Sequence, residues 1–206
     1  MKNIKNIIFD LGNVLFDIDY NKTINGFEQI GFKNFKASFS PEKMDGLFEN
    51  LETGKITEAD FYNTIKHISA NPVTDSQIKN AWNAMLLNFR AESLAFLQQI
   101  KSKYNLYLLS NTNSIHLTAV KDIFIAEIGP ASLDDYFIKA YYSSSIGLRK
   151  PDVAAYAFVL QDAGIKAAET LFIDDLISNI NGAKIVGIQT HQLLPNQRIE
   201  HLQLIM

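Results

Sequence analysis

Short runs of consecutive apolar residues alternate along this chain with longer stretches in which apolar residues recur every third or fourth position. Short continuous runs are typical of strands buried on both faces of a parallel sheet, and the helical spacing predicts amphipathic helices. Strands that alternate with helices indicate right-handed βαβ units and an α/β fold. The predicted strands lie at residues 7–9, 107–109, 137–142, 170–173 and 186–190, and the helices between them at 91–100, from 114, at 151–163 and at 179–185.

The stretch between residues 20 and 89 lacks further buried-strand runs and carries helical patterns instead. Ser40 and Pro41 form a helix start signal, because serine caps helices and proline suits the first helical position. Thr57 precedes acids that favour a first helical turn. We therefore predict a helical bundle at 18–89, inserted into a core formed by 1–17 and 90–206. Its helical pieces are predicted at 27–32, 41–51, 57–68 and 75–87.

Polar side chains follow three of the predicted strands. Asp10 follows the first, Ser110 and Asn111 follow the second, and the pair Asp174 and Asp175 follows a later one. Ligands of open α/β sheets bind beyond the carboxyl ends of the strands. We therefore expect these groups to converge at one edge of the sheet.

Composition narrows the class of protein. The 206 residues are 47% hydrophobic and 20% charged, with a net charge of −3 and a pI of about 5.8. No basic stripe suits a nucleic acid, and no run reaches the roughly 20 apolar residues that span a bilayer. The apolar run after Lys2 and Lys5 is too short for a signal peptide. Without cysteine there is no disulfide framework, so we expect a cytoplasmic protein.

Four segments in order resemble the motifs of the haloacid dehalogenase superfamily, and the likeness covers most of the chain. It is similar above all to small bacterial sugar-phosphate phosphatases that begin with Asp-Leu-Gly-Asn-Val. The resemblance implies a Rossmann-like three-layer core with a parallel sheet, a helical cap inserted after the first motif, and Mg²⁺-dependent phosphoryl transfer to water from a small phosphorylated molecule. The segments are 9–14, 109–112, 149–152 and 173–179.

The acidic residues fit that chemistry. A carboxylate can attack phosphorus and form an aspartyl-phosphate that water then hydrolyses, and Asp10 is the predicted nucleophile. Asp174 and Asp175 would add two carboxylates beside it, and such a cluster cannot stay ionised unaided. Mg²⁺ prefers oxygen ligands and bridges carboxylates to phosphate. We predict a magnesium site formed by Asp10, Asp174, Asp175 and the backbone carbonyl of Gly12.

Other polar residues of the motifs have predicted roles at the substrate. The Lys150 ammonium can neutralise developing charge and keep Asp10 ionised. Ser110 and Asn111 lie between a strand and a helix, where hydroxyl and backbone N–H groups can hold a phosphoryl oxygen. Arg149 is predicted to bind substrate, with a contact to the cap or plain surface exposure as alternatives. Three secondary expectations are that Thr112 caps the next helix, that Asn179 orients an acid of the fourth motif, and that none of the four histidines is catalytic.

The sequence departs from the phosphatase pattern at Gly12, where most members of the superfamily carry an Asp that protonates the leaving oxygen. That proton donor is worth about 10²–10⁴ in rate. Asp17, Asp19 or a cap residue can replace it, or the substrate can have a leaving group that needs little protonation, such as a sugar 1-phosphate, or the protein can be a weak or inactive enzyme. We favour the second explanation.

Two other functions compete with a phosphatase. The dehalogenases of the superfamily also lack the second Asp, but they lack paired acids in the fourth motif as well, so Asp174 and Asp175 favour metal and phosphate. A catalytically weak protein that binds phosphorylated ligands is the other alternative. The sequence carries no signal for an oligomeric state.

Overall fold

A sheet of five parallel strands forms the centre of the molecule. The computed structural model describes residues 3–33, 35 and 46–202. The five strands are β1 (Asn6–Phe9), β4 (Asn105–Ser110), β5 (Lys139–Tyr142), β6 (Thr170–Asp174) and β7 (Gln189–Gln192). Their order in the sheet is β5-β4-β1-β6-β7, so the first strand lies in the middle.

Helices cover both faces of this sheet, because successive side chains of each strand point to opposite faces. Ile7 and Phe9 of β1 belong to the apolar cluster under one pair of helices, and Ile8 belongs to the cluster under another. This arrangement confirms the predicted three-layer α/β core. Its helices are α5 (Ala91–Ile100) and α6 (Ser114–Glu127) on one face, α8 (Val153–Ala163) and α9 (Ile177–Ile185) on the other, and the short α7 (Ser143–Ile146) after β5.

Four further helices with described bounds lie between two strands that pair with each other. The strands β2 (Phe16–Ile18) and β3 (Leu86–Phe89) form an antiparallel ribbon that crosses the first predicted domain boundary, after residue 17, and ends at the second, after residue 89. The helices share an apolar cluster of their own, and the assignment of residues 18–89 as a separate cap stays a prediction. The start signal at Ser40 and Pro41 lies outside the described residues. The helices are α1 (Tyr20–Gln29), α2 (Gly46–Glu52), α3 (Glu58–Ile68) and α4 (Asp75–Asn83).

Several predicted elements are wrong in extent. The helix predicted at 27–32 is α1, which begins at Tyr20 and ends at Gln29. The helix predicted at 75–87 ends at Asn83, and Leu86 instead pairs with Ile18 across the β2–β3 ribbon, a long-range pairing that overrides the helical pattern. The strand predicted at 186–190 begins only at Gln189, because Gly187 has a φ of 83° and ends the preceding helix in the left-handed region. Within the described part of the chain, no helix is both long and apolar enough to cross a bilayer.

Candidate active site

Three carboxylates meet at the carboxyl ends of β1 and β6. These strands are neighbours, with Phe9 opposite Ile173, and the Asp10 N–H donates to the Ile173 carbonyl at 2.9 Å. The register therefore places Asp10 beside Asp174 and Asp175. Each of the three offers a carboxylate oxygen, and these oxygens lie within 4.8 Å of one another. The structure thus brings together the side chains that the sequence placed at separate strand ends.

Lys150 lies within this acidic cluster and is only 1% exposed. Its ammonium donates to Asp10 Oδ1 at 2.6 Å and to Asp174 Oδ2 at 2.8 Å. Burial would lower the pKa of Lys150, but the charges of Asp10 and Asp174 outweigh burial and raise that pKa above its ordinary value. The side chain of Asn111 holds the Lys150 backbone, accepting from its N–H at 2.9 Å and donating to its carbonyl at 2.8 Å.

The two acids of the fourth motif have different surroundings. Both oxygens of Asp174 accept hydrogen bonds from Asn179 Nδ2, at 3.1 and 3.0 Å, and Oδ1 also accepts from the Leu176 N–H at 2.8 Å. Asp174 is fully buried, whereas Asp175 lines the cavity and accepts from Asn13 Nδ2 at 3.1 Å. Asp175 is therefore the more accessible of the pair to a ligand in the cavity.

This donor set fits a hard divalent cation. Burial and the nearby charges of Asp174 and Asp175 raise the pKa of Asp10 to about 7, although Lys150 opposes the rise. Burial and Asp174 likewise raise the pKa of Asp175. Clustered carboxylate oxygens are the ligands that Mg²⁺ prefers, and a dication would relieve their repulsion. Gly12 also lines the cavity, and a Cβ there would lie 4.0 Å from Asp10 Oδ2.

A cavity of about 100 Å³ lies above the cluster. Its floor contains Asp10, Lys150 and Asp175, together with Ser110, which ends β4 and is buried. Among the described residues the Ser110 hydroxyl has no hydrogen-bond partner. It is thus available to a phosphoryl oxygen, whereas the Asn111 side chain is engaged by Lys150 and leaves its backbone N–H for such a contact.

Two predicted roles take a different form in the structure. Thr112 does not cap the following helix; Asn113 does, accepting from the His116 N–H at 3.0 Å, while Thr112 N–H donates to Ser143 Oγ at 2.9 Å. Arg149 makes the contact to the predicted cap that was its alternative role: its Nε lies 3.1 Å from Glu52 Oε2. Both residues of that pair line the cavity.

The proton donor missing at Gly12 has no local substitute among the acids that follow it. A Cβ at Gly12 would lie 2.9 Å from Ile18 Cδ1, so a longer side chain at this position would require the end of the Ile18 side chain to shift. Phe16 and Ile18 of β2 line the cavity, so Asp17 between them points to the opposite face, where it pairs with Arg90 at 2.6 Å. Asp19 caps α1 by accepting from the Asn21 N–H at 3.0 Å.

Sequence reasoning missed several residues that shape the site. Asn13 donates a hydrogen bond to Asp175 and has a φ of 54°, in the left-handed region. Asparagine is among the few residues that tolerate this region, so an asparagine in the first motif could have indicated a turn there. Glu52 carried no such signal, because only the tertiary structure brings it over the cavity. The same holds for His116, which lines the cavity and stacks on Trp82 with ring centroids 4.6 Å apart.

His116 gives the protein a specific acid sensitivity. It is 7% exposed, and its Nε2 lies 3.1 Å from the Trp82 carbonyl. Burial lowers the pKa of His116 from 6.5 to about 4. The unfolded chain therefore binds more protons between these pH values, so the stability from the neutral form is fully present above pH 6.5 and is lost as the pH falls towards 4. We expect this loss to reach about 3 kcal/mol.

Unfolding by urea between pH 4 and pH 7 measures this effect. In His116→Gln the slope of unfolding free energy against pH is expected to be shallower than in the wild type, and the exposed His67→Gln serves as the matched control. Equal slopes in all three proteins would contradict the prediction.

Comparison with known proteins identifies the family. Residues 4–187 match the model of the haloacid dehalogenase-like hydrolases. A D-ribitol-5-phosphate phosphatase of Bacteroides thetaiotaomicron is 33% identical over 190 residues, covering 92% of this chain and 91% of the relative. A solved structure of a HAD family enzyme from the same organism, in complex with magnesium and inorganic phosphate, is 37% identical with a TM-score of 0.87, covering 97% of this chain and 99% of that one.

A more distant likeness concerns the fold alone. The L-2-haloacid dehalogenase of Xanthobacter autotrophicus is 19% identical with a TM-score of 0.61, covering 92% of this chain and 77% of the dehalogenase. The nearer relatives favour phosphate over halide chemistry. Together with the acidic cluster they confirm the predicted phosphoric monoester hydrolase with a Mg²⁺ cofactor. The chain belongs to the haloacid dehalogenase-like hydrolase family.

Proposed function

We propose that this protein removes the phosphate from a small phosphorylated polyol or sugar, with Asp10 as the nucleophile. The observation that carries the proposal is the Asp10, Asp174, Asp175 and Lys150 cluster at the floor of a cavity. A phosphatase of a polyol phosphate among the relatives supports the substrate class. Residues 18–89 are proposed to act as the cap that covers the substrate.

The proposed reaction has two steps on Asp10. Its carboxylate attacks phosphorus and the alcohol oxygen leaves, and water then hydrolyses the aspartyl-phosphate. Lys150, at 2.6 Å from Asp10, keeps the carboxylate ionised and neutralises charge in the transition state. Ser110 and the backbone N–H of Asn111 orient the phosphoryl group. Asn13 and Asn179 orient the acids of the fourth motif.

Magnesium would be held by Asp10, Asp175, the carbonyl of Gly12 and, through its remaining lone pairs, Asp174. When bound, it supplies a Lewis acid for the phosphoryl oxygens. The chain's own contribution is to keep these carboxylates close together, buried and oriented. Arg149 stays a candidate substrate contact through its place on the cavity wall.

Phosphate release from a panel of phosphorylated metabolites, measured with Mg²⁺ and with EDTA, tests the function. We expect release with Mg²⁺, a loss of at least about 10³-fold on chelation because the metal supplies several kcal/mol of charge stabilisation, and recovery when Mg²⁺ is restored. Release that EDTA leaves unaffected would contradict the metal site. Halide release from 2-haloacids in EDTA would favour the dehalogenase alternative.

The lack of an acidic side chain at Gly12 leads to a prediction on the leaving group. Without a proton donor there, activity is expected to favour glucose 1-phosphate over glucose 6-phosphate, because the anomeric oxygen leaves more readily. Equal kcat/KM for the two would rule this preference out. D-ribitol 5-phosphate, the compound in the relative's name, has no anomeric oxygen, so comparing it with both glucose phosphates also tests whether a proton donor from elsewhere is present.

The proposal also covers the kind of partner that the protein binds and the compartment in which it acts. A net charge of −3 supports a partner that is a small molecule rather than a nucleic acid. The lack of cysteine supports a reducing compartment, and we propose the cytoplasm.

A further inference from the structure

The roof of the cavity contains an ion pair among mostly apolar side chains. Residues from the predicted cap supply Trp82, Met85 and Leu86, which are apolar, together with Tyr20 and Glu52. A phosphoryl group at Asp10 occupies the floor, so the rest of a substrate has to lie between floor and roof. A polar group in this roof is therefore placed to contact the end of the substrate that is remote from the phosphate.

Glu52 is a partly buried carboxylate with unused hydrogen-bonding capacity. Its side chain is 13% exposed and that of its partner Arg149 is 14% exposed. Among the described residues only Arg149 donates to Glu52, and it does so to Oε2, which leaves Oε1 as an acceptor. Burial raises the pKa of Glu52, and Arg149 opposes the rise and favours the ionised form.

The backbone after Glu52 fixes its position over the cavity. Helix α2 ends in a Schellman motif, with the Gly54 N–H donating to the Leu51 carbonyl and the Lys55 N–H donating to the Asn50 carbonyl. Gly54 has a φ of 67°, and a Cβ there would lie 2.5 Å from the Ser144 carbonyl oxygen on α7. Only glycine allows this close approach of α2 to the core, and Glu52 lies two residues before it.

We propose that the Glu52 carboxylate, held by Arg149, accepts hydrogen bonds from substrate hydroxyl groups and so selects hydroxylated phosphates over plain alkyl phosphates. The inference rests on the proposed phosphatase function. A bound substrate without hydroxyl groups would cover this partly buried carboxylate and leave one of its oxygens without a donor, which is costly. Sites built to hydrogen-bond a hydroxyl reject analogues that lack it far more strongly than apolar pockets do.

Two substrates with the same kind of leaving group test this selection. D-ribitol 5-phosphate and pentyl phosphate both release a primary alcohol with five carbons, and only the first carries further hydroxyl groups. In Glu52→Gln, the ratio of kcat/KM on ribitol phosphate to kcat/KM on pentyl phosphate is expected to fall about 5- to 10-fold, because the glutamine oxygen still accepts a hydrogen bond but lacks the charge that strengthens it. Glu49→Gln, one turn earlier on α2 and not on the cavity wall, is the matched control.

A ratio that stays within about threefold of the wild type would overturn the inference, since a hydrogen bond to a charged group is worth more than that. This includes an equal loss on both substrates, which would make Glu52 a proton donor or a structural residue. If the wild type acts on pentyl and p-nitrophenyl phosphate but not on ribitol phosphate or the sugar phosphates, the inference fails and the phosphatase stands. If none of these compounds releases phosphate, the proposed function itself fails.

A second variant tests the position of Glu52 without altering its charge. Gly54→Ala is expected to lower the same ratio, because the added Cβ forces α2 away from Ser144. Gly164→Ala, at the end of α8, is its control: Gly164 has a similar φ of 65° but nothing within 4 Å of an added Cβ. Equal ratios in these two variants would contradict the inferred role of the contact between α2 and the core.

Discussion

Replacing Asp10 by asparagine is expected to lower kcat at least about 10⁴-fold, as removal of a catalytic nucleophile does in other hydrolases. An amide oxygen is a poor nucleophile, and it is also a weaker partner for Lys150 and for a metal ion. The side chain keeps its size, so the fold should persist. Steady-state phosphate release with Mg²⁺ measures the effect, and circular dichroism checks the fold.

Asp19→Asn is the matched control for that variant. Asp19 caps α1 through a hydrogen bond from Asn21, and asparagine caps a helix about as well. Its activity should remain close to that of the wild type. This control also tests Asp19 as a replacement proton donor. If Asp10→Asn keeps its activity, the proposed aspartyl-phosphate on Asp10 is wrong.

Lys150→Met is expected to have the largest effect on stability. Lys150 is buried between Asp10 and Asp174, and methionine fills similar space without a charge. Removing one partner of a buried ion pair leaves uncompensated charge and costs about 3–5 kcal/mol. The free energy of unfolding, measured with urea in EDTA, should fall by this amount.

The same variant should also lose catalysis, because it removes the ammonium group that contacts the nucleophile Asp10. We expect kcat with saturating Mg²⁺ to fall at least about 10²-fold, the effect of losing one electrostatic donor in other enzymes. Lys139→Met is the control, since Lys139 pairs with Asp162 at the surface and little change is expected from such a pair. Similar losses of stability in both variants would contradict the prediction that the buried ion pairs of Lys150 stabilise the fold more than the surface pair of Lys139 does.

Cations beside the acidic cluster offset the effect of burial on the ionisation of its carboxylates. Burial and the neighbouring acids raise the pKa of Asp10 to about 7 even though Lys150 opposes the rise, so without a further cation much of the nucleophile would be protonated near neutral pH. Lys150 supplies one compensating charge and a dication would supply more. The cluster is thus suited to bind a cation and the negatively charged phosphoryl group together.

Much of the site followed from local sequence, because its residues come directly after strands. Asp10, Ser110 and Asp174 lie at the ends of continuous apolar runs, and the carboxyl ends of parallel strands meet at one edge of a sheet. Their convergence depends on strand order and register, which periodic apolar patterns and short connections largely determine. The three-layer core was predictable for the same reason.

Other features depended on contacts between distant parts of the chain. Leu86 lies in a segment with a helical pattern, yet it pairs with Ile18 of β2. Pairing with a distant strand stabilises this segment more than local helix propensity does. Tertiary pairing of this kind cannot be read from a short window.

The sequence alone therefore determined the α/β core and the placement of the nucleophile and the acids around one edge, since each of these follows a strand end, whereas Lys150 lies beyond the short helix after β5 and was predicted from its motif. Only the tertiary structure decided what faces them. Glu52 lies over the cavity because Gly54 allows α2 to approach Ser144, and His116 lies beside Trp82 because α4 packs on α6. These are packing relations between separate elements, and packing depends on the whole fold rather than on the residues next in the chain.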